Sequence, residues 1–121
     1  RWMPSARRSR SGGRVAGEGD SQPDWVALAS LKQAILVEFE AQGVNRVEYV
    51  IAFSEPFKFW VWLGTESDTE RDALGTDDTI DRRIRAVAQQ SGVHELFQGS
   101  SFESQETLDR EFEGSWFYRL R

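Results

Sequence analysis

Glu55-Pro56-Phe57-Lys58-Phe59-Trp60-Val61-Trp62-Leu63-Gly64 is apolar on both faces of any strand it can form. Side chains alternate along a strand, so Phe57, Phe59, Val61 and Leu63 share one face while Trp60 and Trp62 follow Lys58 on the other. A strand with one face in water alternates apolar with polar residues. This one therefore belongs in the middle of a sheet, or its tryptophan face is covered by a helix of the same chain or by a partner.

Upstream, Arg46 to Phe53 has a period of two, with Val47, Tyr49, Ile51 and Phe53 on one face and Arg46, Glu48, Val50 and Ala52 on the other. Ser54-Glu55-Pro56 reads as a three-residue hairpin connection, which makes the two strands antiparallel neighbours. Before them, Ser21-Gln22-Pro23-Asp24 opens a helix of about five turns by capping, early proline and helix-dipole rules. Trp25, Leu28, Leu31, Ile35, Leu36 and Phe39 form its apolar stripe and Gly43 stops it.

Downstream, Ser67-Asp68-Thr69-Glu70 is a capping-box pattern for a short helix that ends near Gly75. Thr76 and Asp77 cap a second helix, striped by Ile80, Ile84, Val87 and Ala88 and ended by Gly92, with Asp78–Arg82 and Asp81–Arg85 spaced as solvent-side ion pairs. His94 to Phe102 reads as an irregular strand bulged near Gly99. A helix from Ser104 to Phe112 stops at Gly114, and the β-favouring aromatics of Ser115-Trp116-Phe117-Tyr118-Arg119-Leu120 make a last strand. The sum is an α+β fold: a sheet of about four strands, antiparallel or mixed, with helices packed on it.

The chain has 121 residues, 39% of them hydrophobic, and fifteen are Phe, Trp or Tyr, which suits one core rather than two. We expect a tail over residues 1–20 and a single domain over 21–121. The tail is rich in Arg, Ser and Gly and too poor in aliphatic residues to offset the entropy of ordering, so disorder is expected there. Arg7-Arg8 is not followed by the apolar stretch of an export signal. The tail carries five arginines against Glu18 and Asp20, a net of +3, so the total of −5 leaves the body at −8. An acidic body repels nucleic acid and attracts a basic partner. No apolar run is long enough to cross a membrane as a helix. The absence of cysteine removes disulfides, thiolate chemistry and cysteine-bound zinc, and fits the cytoplasm.

No catalytic constellation is legible. His94 is the only histidine and has no local nucleophile or carboxylate motif beside it, and no glycine-rich phosphate loop or nucleophile elbow occurs. Glu66, Asp68 and Glu70 alternate as in a calcium loop, but Arg71 stands where such a loop needs glycine. No metal or cofactor is expected. Two candidate surfaces remain. One is a partner-facing acidic ridge of Glu66, Asp68, Glu70, Asp72, Asp77 and Asp78, whose plainer reading is helix capping and a solvated loop. The other is an aromatic surface of Trp60, Trp62 and Tyr118, whose plainer reading places Trp60 and Trp62, with Trp25 and Trp116, in the core.

The run Phe102-Glu103-Ser104-Gln105-Glu106-Thr107-Leu108-Asp109-Arg110, then Gly114-Ser115-Trp116-Phe117-Tyr118, together with Phe59-Trp60-Val61-Trp62-Leu63, resembles a family of small uncharacterised bacterial proteins. In size, acidity and α+β layout the chain is similar to immunity proteins that neutralise secreted bacterial toxins. Architecture alone transfers no site, and neither resemblance carries a functional residue over. The resulting expectation is a non-enzymatic protein-binding module of the immunity or inhibitor type, whose partner is a basic protein such as a toxin. The alternative is a small-ligand binder or enzyme using an aromatic cleft.

Overall fold

The computed structural model describes residues 21–121, so the expectations for the tail lie outside the described residues. The central element is the strand quoted first. β2 (Phe59–Thr65) lies between β1 (Arg46–Ile51), which is antiparallel to it, and β3 (Phe97–Ser104), which is parallel. Among the described residues the sheet is thus mixed and has three strands.

One sheet face carries the core. Val47, Tyr49 and Ile51 of β1 and Phe59, Val61 and Leu63 of β2 are buried there. Against them pack Leu28, Leu31 and Ile35 of α1 (Trp25–Glu38), Phe39 just after it, and Ile80, Ile84 and Ala88 of α3 (Ile80–Gln90). Leu74 of α2 (Asp68–Gly75) joins the same cluster. The buried Tyr49 hydroxyl donates to the Leu28 carbonyl at 2.6 Å, and its burial pushes the phenol up from its ordinary pKa. α1 and α3 are also clamped by Arg83, which donates to Glu38 at 2.9 Å and lies over the Phe39 ring at 4.3 Å.

Several sequence expectations need correction. Ser115–Leu120 is not a fourth strand but a short helix, α5 (Trp116–Leu120), because the Ser115 hydroxyl accepts the Tyr118 N–H as an N-cap. The connection between β1 and β2 spans residues 52–58 rather than three residues, and Phe53 lies past the end of β1, 65% exposed instead of on the core face. α1 has 14 residues and is capped by the Asp24 carboxylate rather than by Ser21; a 3-10 turn (Glu40–Gln42) then leads to Gly43, whose φ of 89° closes the element. α3 begins after Thr79, with Asp77 accepting from the Thr79 N–H and hydroxyl. Asp81 accepts from Ser100, and Arg85 turns onto the Phe97 ring and carbonyl, so the proposed Asp81–Arg85 pair is replaced by contacts to β3.

Other features appear as read. Ser67 and Glu70 form a reciprocal capping box. The register of β3 shifts between Phe59 and Trp60, beside Gly99. α4 (Gln105–Glu111) starts at the Ser104 cap. No helix among the described residues is long and apolar enough to cross a membrane.

Candidate functional site

β2 and β3 are parallel, so both end at the same edge of the sheet, and each runs into a helix capped by serine: Ser67 for α2 and Ser104 for α4. Two helix N-termini side by side attract negative charge. Here the chain's own carboxylates fill that position. Glu106 of α4 accepts from the Asp68 N–H of α2 at 2.7 Å, while the Asp68 carboxylate accepts from the Ser104 hydroxyl and, at 2.8 Å, from the Thr107 hydroxyl. The Ser104, then Thr107, hydrogen bonds, with Arg110 at 3.3 Å, bring the Asp68 carboxyl down to about 2.

Glu103 lies beside this pair and was not singled out from the sequence. Its side chain is 5% exposed, with Arg119 of α5 donating at 2.7 Å and Arg71 of α2 at 2.9 Å. Burial pushes the Glu103 carboxyl up, but Arg119, the Ser104 N–H and Arg71 together outweigh burial and leave it below the ordinary carboxylate range. Arg71 also donates to Thr107 at 2.7 Å, so one guanidinium ties α2 to β3 and α4. A strand glutamate normally signals a solvent face. Its partners are 16 and 32 residues away, where no local pattern links them.

The six acids of the expected ridge therefore divide. Asp68 belongs to the corner just described, Glu70 to the capping box, and Asp77 to Thr79, with Gln42 donating to it at 3.3 Å. Glu66, Asp72 and Asp78 are exposed; Glu66 accepts from Asn45, and Asp72 pairs with Arg71 at 3.0 Å. Among the described residues, no group of three or more His, Asp or Glu could hold a metal ion.

The second sheet face carries Glu48 and Val50 of β1 with Trp62 and Trp60 opposite them on β2. α5 covers one end of it. The Trp116 ring lies so close to Gly64 that a Cβ there would come within 2.7 Å of it, and it meets Trp62 edge-on with centroids 6.2 Å apart. Arg119 lies over Trp62 at 4.5 Å, and Arg46 over Trp116 at 5.5 Å. α5 can turn back onto the sheet because Glu113 and Gly114 adopt φ of 55° and 74°, the left-handed region that glycine enters freely. The other end stays open. Trp60 is 38% exposed, its indole N–H donating to the Ser101 hydroxyl at 2.8 Å and its ring resting on Gly99.

Neither tryptophan thus belongs to the main core, contrary to the plainer reading: Trp62 is partly buried under α5 and Trp60 is exposed. No family model, curated protein or solved structure matches the chain. Tyr118, the third member of the expected aromatic surface, is 47% exposed and meets Phe117 at 5.9 Å, while Trp116 and Arg119 are the α5 residues that meet Trp62. His94 sits in the 3-10 turn His94–Leu96, its Nε2 4.0 Å from Glu95.

Proposed function

We propose that this chain is a non-enzymatic protein-binding domain of the immunity or inhibitor kind, acting in the cytoplasm on a basic partner. The observation that carries this reading is an acidic body whose ridge leaves Glu66, Asp72 and Asp78 exposed. Asp68 and Glu103 are both held below the ordinary range by hydroxyls and arginines. Their hydrogen bonds tie α2, β3, α4 and α5 together, which leaves the exposed acids as the groups available to a partner. The body's charge of −8 supplies attraction for a cationic protein, and the exposed Glu66, Asp72 and Asp78 are the members of the ridge turned toward it.

A small-ligand reading draws on the half-exposed Trp60 beside the Ser101 hydroxyl. Tryptophan fluorescence separates the two readings: a saturable shift with a metabolite or sugar supports the ligand reading. The protein-binding reading is tested by replacing Glu66, Asp72 and Asp78 with their amides and titrating against a histone as a cationic probe at stepped ionic strength. The expected result is weaker binding and a shallower salt dependence in the variant. Unchanged affinity and slope contradict the proposal.

A further inference from the structure

We propose that the open end of the second sheet face, centred on Trp60, seats an arginine side chain of the basic partner. The proposal rests on the protein-binding reading and adds to it the contact residue and the chemistry it selects. The covered end of the same face provides the template. There, the ring of Trp62 is met by Arg119 at 4.5 Å and the ring of Trp116 by Arg46 at 5.5 Å. Trp60 projects from the same face two residues before Trp62, beyond the cover of α5.

Its indole is already oriented. The N–H is fixed to Ser101 at 2.8 Å and one side of the ring rests on Gly99, which leaves exposed ring surface in a set position. A ring held in this way attracts a cation through its quadrupole, and a planar, weakly hydrated guanidinium stacks on it better than an ammonium does. The body's charge of −8 favours a cationic occupant over an acidic or neutral one.

The test uses the full chain with hexa-arginine and hexa-lysine peptides, which carry equal charge, as probes. The indole N–H resonance of Trp60 is followed by NMR during both titrations, and affinities are measured for wild type, Trp60→Ala and Trp60→Phe. Hexa-arginine is expected to shift the Trp60 resonance and to bind about two- to fivefold more tightly than hexa-lysine, the size of one exposed cation–π contact. That ratio falls to one in Trp60→Ala and keeps an intermediate value in Trp60→Phe. A Trp60 resonance that responds to neither peptide, or a ratio unchanged in Trp60→Ala, overturns the proposal. Neutralising Glu66, Asp72 and Asp78 is expected to weaken both peptides alike and leave the ratio intact, so this inference and the general protein-binding reading can fail separately.

Discussion

Trp60 and Trp62 stand two residues apart on the same face of the same strand, yet Trp60 is 38% exposed whereas Trp62 is partly buried beneath α5. The difference lies entirely in what crosses above them. Over Trp62, five residues of α5 bring Trp116 and Arg119, and Arg119 is held in turn by buried Glu103. Among the described residues nothing comparable passes over Trp60, and the ring is satisfied by Ser101 and Gly99 from below. A strand pattern fixes which side chains share a face. Whether that face is interior is decided by elements distant in sequence.

The strongest way to break this contrast is to remove the lid's anchor. Trp116→Ala deletes a buried indole and is expected to cost about 3–5 kcal/mol in urea unfolding. It also exposes Trp62, so the two rings become equally quenchable by iodide. Glu103→Gln removes the charge that two arginines share. Because both guanidiniums still reach solvent, the loss should be about 2–3 kcal/mol, smaller than for a fully buried pair. Amide exchange in α5 should accelerate in that variant before exchange in β2 does.

Acid sharpens the same comparison. The folded Asp68 carboxyl titrates near 2, below the roughly 3.9 of an unfolded aspartate. Its contribution is therefore complete above about pH 4 and is lost as the pH falls toward 2, and Glu103 acts in the same direction. Urea midpoints measured between pH 5 and pH 2.5 should fall more steeply in wild type than in Asp68→Asn. The smallest effect belongs to the open end. Trp60→Ala lies outside the core cluster and loses a ring that is only partly covered, so it should cost about 1–2 kcal/mol, less than Trp116→Ala.

Much of this fold was legible in local signals. The central position of β2 followed from its two apolar faces, the β1–β2 pairing from the short connection at Ser54-Glu55-Pro56, and the starts of α2 and α4 from the serines that cap them. The Gly99 bulge was legible because Gly99-Ser100 interrupts an apolar run. What failed was governed by tertiary contacts. Trp116, Phe117 and Tyr118 favour strand, yet the Ser115 cap and the cradle of Gly64, Arg46 and Trp62 make the segment helical. The acids of the expected ridge looked alike in sequence, but Asp68 and Asp77 face hydroxyls that only the folded chain brings near, whereas Glu66, Asp72 and Asp78 stay exposed. Glu103 carried no sign of its role, because burial and both partnering arginines arise from folding.

α5 covers one half of a tryptophan-bearing face and leaves Trp60 on the other half exposed. Limited oxidation with N-bromosuccinimide, mapped by peptide mass spectrometry, reads that division directly. Trp60 should be modified well before Trp62 and Trp116 in wild type, with Trp62 becoming reactive in Glu103→Gln. Equal oxidation rates for Trp60 and Trp62 in the wild-type chain would contradict the account.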